Sequence, residues 1–155
     1  MKFKNPLLVV ADMEKSKAFY RQTLGLHVIM DFGANVTLTG GICLQTAESW
    51  QKFTGIPREE LAFGGKCTEL YFEEDDFNSF AEKLRLLEHI QYVHPVIEHR
   101  WGQRAIRFYD PDKRIIEVGE NMKTVCRRFL NSGMSAEETA ERMDVPMKFV
   151  NGCKK

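Results

Sequence analysis

The strongest constraint on the fold of this chain is an internal repeat. NPLLVVAD (5–12) is a short apolar, β-branched run, and MEKSKAFYRQTLGL follows it with Met13, Ala18, Phe19 and Leu24 on one helical face. ELYFEEDD (69–76) has the same extended character, and FNSFAEKLRLLEHI follows it with Phe77, Phe80, Ala81, Leu84 and Leu87 at helical spacing. Asp12 and Asp76 stand where a carboxylate can accept the free N–H groups of a helix start, and Gly25 stands where the first helix can end in the left-handed region. Three strands are predicted after each helix: 27–32, 35–38 and 42–46 around the Gly40-Gly41 turn, then 91–98, 104–109 and 114–119. Asp110-Pro111-Asp112-Lys113 is the turn between the last two. Two βαβββ modules, about 1–48 and 66–120, make an α+β domain over residues 1–120.

Residues 49–65 connect the modules, with a short helix predicted at 49–53. From Met122 the pattern changes. Val125, Phe129 and Leu130 mark one helix, Gly133 breaks it, and Ser135 opens another with Glu138 in capping-box spacing. Val145-Pro146 ends that helix and a short third begins at 147, so 121–155 is a C-terminal helical extension. Its basic residues Lys123, Arg127, Arg128, Arg142 and Lys148 are offset by Glu137, Glu138, Glu141 and Asp144. Packing against the sheets or a partner subunit is therefore expected of it, and nucleic-acid binding is not.

The whole chain balances 22 Lys and Arg against 22 Asp and Glu, so no global field draws it to nucleic acid or an anionic membrane. The longest apolar run, 7–11, is far short of the roughly 20 residues of a membrane span, and no signal-peptide core opens the sequence. A cytoplasmic location is the expectation. Four cysteines without a CxxC pair point to idle thiols rather than to a zinc knuckle or redox motif.

The βαβββ duplication, the opening VADMEKSKAFYRQTLGL and the segment FYDPDKRIIEVG resemble the vicinal oxygen chelate superfamily. That group includes glyoxalase I, bleomycin and fosfomycin resistance proteins and extradiol dioxygenases. The resemblance covers about residues 1–120. It implies modules that curl into a cup-shaped mixed sheet, and in the metalloenzymes of the group a divalent ion held by side chains from both halves. By resemblance the metal positions are Asn5 and Glu69, which open the first strand of each module, and Gln45 and Glu117 on the last strand. Members commonly carry His at the strand-opening positions, where this chain has Asn5 and Glu69. Such an all-oxygen set suits Mg²⁺, Mn²⁺ or Ca²⁺ better than Zn²⁺ or Ni²⁺. With an ion bound, Glu69 and Glu117 are the catalytic residues of a glyoxalase-like lyase, isomerase or dioxygenase, the ion serving as Lewis acid and Glu69 as proton-transfer base. With none, the two carboxylates hydrogen-bond Arg104, Arg107 or a ligand.

A second constellation, His99 to Arg104, lies between two strands of the second module. Trp101 can stack on a planar ligand, Arg104 can clamp a carboxylate or phosphate, His99 and Gln103 add polar contacts, and Gly102 allows close approach. The same residues also suit a hairpin whose Trp covers a sheet edge and whose Arg pairs with acidic neighbours. Trp50, with Phe53, is a candidate aromatic wall, while His27, His89 and His94 read as loop histidines. Three functions stay open: a metalloenzyme acting on a small oxygenated substrate, a metal-free protein that binds or sequesters a planar or charged small molecule, and an interaction protein using its helical tail. The resemblance also implies a homodimer.

Overall fold

The computed structural model describes residues 1–153. The elements run β1 (Leu7–Val10), α1 (Met13–Leu24), β2 (Val28–Asp31), β3 (Asn35–Leu38), β4 (Cys43–Thr46) and α2 (Ala47–Thr54). The second repeat gives β5 (Glu69–Glu74), α3 (Phe77–Arg85), β6 (Gln91–Glu98), β7 (Arg104–Tyr109) and β8 (Ile115–Glu120). Helices α4 (Met122–Asn131), α5 (Ala136–Met143) and α6 (Met147–Cys153) complete it. The architecture is α+β, with two four-stranded mixed sheets. Their orders, β1-β4-β3-β2 and β5-β8-β7-β6, are the same topology twice, each with one parallel pair between its first and last strand.

By contacts the chain divides into two units. The first holds Met1–Cys67 and the Asp110–Arg114 turn, and the second holds Thr68–Tyr109 with the chain from Ile115 onward. The helical tail thus belongs to the second unit. Among the described residues no helix is long and apolar enough to cross a membrane.

Each unit buries one face of its sheet under its helix, because strand alternation sends every second side chain the same way. In the first unit Val10, Val36, Leu38 and Leu44 join Phe19 and Tyr20 of α1 in the core. In the second, Ile106, Phe108, Ile116 and Val118 join Phe77, Phe80 and Leu84 of α3. Asp12 caps α1 by accepting from Lys15 N at 3.0 Å, and Asp76 caps α3 by accepting from Ser79 N at 3.1 Å. The apolar spacing predicts helix as far as Leu87, but α3 stops at Arg85. Tighter turns replace it, Leu87 N donating to Leu84 O and Ile90 N to Leu87 O, which buries Ile90 and lets β6 begin at Gln91.

The tail has a core of its own in Val125, Cys126, Ala140, Met143, Val150 and Cys153. Ser135 and Glu138 form the reciprocal capping box, Glu138 N to Ser135 Oγ at 3.1 Å and Ser135 N to Glu138 Oε2 at 2.7 Å. All four cysteines are free thiols.

Candidate functional site

The face of the second sheet turned away from α3 collects most of the chemistry. Ladder pairing aligns Tyr71, Glu117, Arg107 and His94 across β5, β8, β7 and β6. Two-residue periodicity adds Glu69 and Glu73 on β5 to this face, where both are exposed, while Glu117, Gly119 and Ala105 beside them are buried. Glu69 and Glu117 are brought together, and what joins them is Arg107. Its Nε donates to Glu69 Oε2 at 3.0 Å, its Nη2 pairs with Glu117 Oε2, and its Nη1 contacts His94 Nε2 at 3.2 Å. His94 Nδ1 lies 2.8 Å from Pro95 O, a group that can only accept. The ring therefore carries its proton on Nδ1 and offers Nε2 to the guanidinium. The sequence reading passed over His94, because its place beside Arg107 depends on an irregularity between Tyr92 and His94 that shifts the ladder.

A second polar chain runs into the same face from the 99–103 turn. Trp101 Nε1 donates to Gln103 Oε1 at 3.1 Å, Gln103 Nε2 donates to Tyr71 Oη at 2.8 Å, and Tyr71 Oη donates to Glu73 Oε1 at 3.1 Å. Gln103 Nε2 also donates to Glu120 O at 3.0 Å, a group that can only accept, so the amide orientation of Gln103 is determined. Gly119 is what lets Gln103 in: a Cβ there would stand 2.7 Å from Gln103 Nε2. His99 stacks on Trp101 with ring centroids 4.3 Å apart and planes 10° from parallel. Burial and then the charge of Arg107 hold the His99 pKa below the ordinary imidazole range. Of the three carboxylates on this face, Glu69 and Glu117 pair with Arg107, while Glu73 accepts from Tyr71 Oη.

Arg104 is not part of that assembly. Alternation along β7 puts it on the α3 side, where it forms a fork with Glu120, Nε to Oε2 at 3.0 Å and Nη2 to Oε1 at 2.9 Å. It also donates to Asn78 and lies over the Phe77 ring. Nor does Gly102 open a path for ligand. At φ +85° it faces the Phe129 ring of α4, and a Cβ there would clash with the Cζ–Cε2 edge of that ring.

The other candidates lie in the first unit. Trp50 is half-buried on α2, beside the exposed Phe53. Asn5 precedes β1 and donates to Gly41 O at 2.6 Å. Gln45 is buried on β4, its Nε2 without a partner. Parallel pairing sets Leu7 opposite Cys43 and Glu69 opposite Ile115, so with Gln45 equivalent to Glu117 the counterpart of Glu69 is Leu7, two residues past Asn5.

These residues do not fit a divalent ion. The two carboxylates that would hold it hold a permanent cation, and the ladder equivalent of Glu69 has no donor atom. Among the described residues no group of three or more His, Cys, Asp or Glu side chains converges as a metal site.

A cleft of about 560 Å³ lies on the α3 side, between that helix and β6, walled by Phe77, Ala81, Tyr92 and Val96. A similar gap, between α1 and the start of β2, occurs in the first unit. The recurrence marks it as a product of module geometry rather than of one site.

A duplicated βαβββ chain whose two sheets share one strand order, each with a parallel pair between its first and last strand, defines a glyoxalase-like fold. The comparison with known families agrees: residues 3–123 match the Glyoxalase-like domain family, and the chain belongs to it. Among solved structures, a protein of unknown function from Agrobacterium tumefaciens str. C58 is 37% identical over 78% of this chain and 94% of that one, with a TM-score of 0.71. A glyoxalase/bleomycin resistance protein/dioxygenase from Nocardioides is 22% identical over 77% and 83% (TM-score 0.63). A lactoylglutathione lyase from Agrobacterium tumefaciens is 23% identical over 78% and 94% (TM-score 0.61). The last two share the fold. No curated protein matches the sequence.

Proposed function

We propose that the open face of the second sheet binds a small planar cation without a metal, as a binding or sequestering member of the glyoxalase-like family. The observation that carries this reading is Arg107, whose guanidinium bridges Glu69 and Glu117. It supplies the positive charge that a divalent ion supplies elsewhere, and its seat between two carboxylates supports a face suited to a flat cation. One guanidinium leaves the three carboxylates in excess by two, so a second cation is attracted and an anion is not. Trp101 and Tyr71 offer π-faces, and a cation over an aromatic ring gains about 0.5–2 kcal/mol. Isomerase, lyase and dioxygenase chemistry, which in this family would run through an ion chelated at the strand ends, has no donor set here to hold that ion.

The test is titration with two matched planar probes, benzamidinium and benzoate, read by Trp101 fluorescence in a Trp50→Phe background and by calorimetry. Saturable quenching by benzamidinium alone, unchanged by EDTA and weakened by Glu73→Gln and by Glu117→Gln, is the expected result. Preference for benzoate, binding that needs a metal, or no binding of either probe overturns the proposal.

A further inference from the structure

The family match ends at residue 123, and the solved structures compared above cover 77–78% of this chain, so α4 to α6 are an addition to the shared fold. Their position is specific. Phe129 of α4 fills the space that Gly102 leaves open. Arg128 Nη2 donates to Gly102 O at 2.6 Å and to Glu120 Oε2 at 3.2 Å, and Arg128 Nη1 lies 3.8 Å from Glu98. Arg142 of α5 reaches Arg100 O and lies 3.7 Å from Glu98. Both guanidinium groups also lie over the Phe129 ring, at 5.1 and 5.9 Å from its centroid. Two main-chain carbonyls of one turn, and the one glycine in it, are thus engaged from a single side. The other side of that turn carries His99, Trp101 and Gln103.

We infer that the helical tail is a clamp that fixes the ligand-facing turn, with Phe129, Arg128 and Arg142 as positioning residues that never touch ligand. On the sheet side the turn is held by Gln103, whose Nε2 donates to Tyr71 Oη and to Glu120 O, and the tail holds the side that Gln103 does not reach. Between β6 and β7 its own main-chain bonds are His99 N to Gln103 O and Gly102 N to His99 O, both 2.8 Å. Carbonyls at 100 and 102 would otherwise face water, and a glycine at positive φ is the most mobile link in such a turn. Ordering the turn before ligand arrives removes that entropy cost from binding. Only the affinity part of this inference rests on the proposed cation site.

The experiment compares Phe129→Ala, which removes the contact with the turn, with Val150→Ala, which weakens only the tail's own core. Phe129→Leu serves as a milder version that keeps the tail packed. Three readouts are taken in the Trp50→Phe background: thermal midpoint, iodide quenching of Trp101, and NMR titration of His99. Phe129→Ala and Phe129→Leu are expected to raise Trp101 quenching and move the His99 pKa up toward the ordinary value as the ring leaves its buried stack. They are also expected to weaken benzamidinium binding, about tenfold for Ala, or 1.4 kcal/mol. Val150→Ala is expected to lower the midpoint and leave Trp101 and His99 unchanged. The clamp is overturned when the Phe129 variants leave both turn readouts at wild-type values, or when Val150→Ala moves them equally. Should wild type bind no benzamidinium, the cation site fails alone, since quenching and titration judge the clamp without ligand.

Discussion

Asp110 takes four hydrogen bonds on two oxygens. Oδ1 accepts the main-chain N–H groups of Asp112 and Arg114 at 2.9 and 2.8 Å, and Oδ2 accepts from Tyr20 Oη and Arg114 Nη1, both at 3.0 Å. Arg114 continues to Val9 O, and Asp112 accepts from Ala11 N at 3.2 Å. Asp110 and Tyr20 are buried, and burial, then the charge of Asp110, pushes the Tyr20 hydroxyl far above its ordinary pKa. The DPDKR half of the motif that carried the resemblance is thus a structural lock of the first unit, while Glu117 in its IIEVG half faces the open side of the second sheet. Tyr20→Phe is expected to cost about 1.5–3 kcal/mol, as a hydrogen bond to a charged group, and Asp110→Ala about 3–5 kcal/mol because four hydrogen bonds are lost together, Arg114 keeping only Asp112 and Val9 O. Urea unfolding measures both, and equal, small losses would show that the network contributes little. Glu120 sets an acid limit. Burial alone would raise its pKa, but Arg104 and Arg128 outweigh burial and hold it below the ordinary carboxylate value. A depressed pKa gives stability that is fully present above the unfolded-state value of about 4.3 and is lost as pH falls through the folded one. Comparison of Glu120→Gln with wild type should therefore show a gap in unfolding free energy that narrows on acidification below about pH 4; a gap constant with pH would remove Glu120 from that role.

Elements were the most legible level of the sequence, since each has a period or a punctuation mark that physics enforces. The β3 strand lies where its alternation predicts, and the Ser135-Glu138 box opens α5 where the spacing says it must. Legibility failed where two elements meet. His99 to Arg104 reads as one constellation along the chain, yet the step from Gln103 to Arg104 crosses the sheet, since neighbours on a strand point to opposite faces. Gly102 reads as room for a ligand, and nothing in the local sequence reveals that an aromatic ring from α4 occupies that room. The tail elements also make a quantitative prediction. Ser135→Ala removes one half of the capping box and should destabilise α5 by about 1 kcal/mol, seen as a lower thermal midpoint, while Ser132→Ala, at the end of α4, should cost less because its Oγ bonds only Phe129 O. A larger loss at Ser132 would mean that the cap does not govern how α5 forms.

At the scale of the whole molecule, duplication was readable because two copies of one pattern constrain the fold more than either copy does alone. What the repeat could not disclose is the fate of the strand-end carboxylates. The resemblance puts Glu69 on the opening strand and Glu117 on the last strand of the second module, where metalloenzymes of the family hold ions, and both readings of the pair were open. The deciding residue, Arg107, sits on a third strand, and only the pairing of Arg107 with Glu117 across β7 and β8 sets it between them. Stability measures the outcome. An ion that binds the folded chain at one hundred times its dissociation constant adds about 2.7 kcal/mol, which in a chain of this size raises the thermal midpoint by roughly 5–10 °C. Wild type is therefore expected to melt at the same temperature with EDTA and with excess Mg²⁺, Mn²⁺, Ni²⁺ or Zn²⁺. Arg107→Leu frees the two carboxylates together, and it is this variant, not wild type, that should gain a midpoint shift with divalent ions. A shift of several degrees in wild type that Glu117→Gln abolishes would show that the guanidinium yields its place to a metal, and the metal-free reading would fall with it.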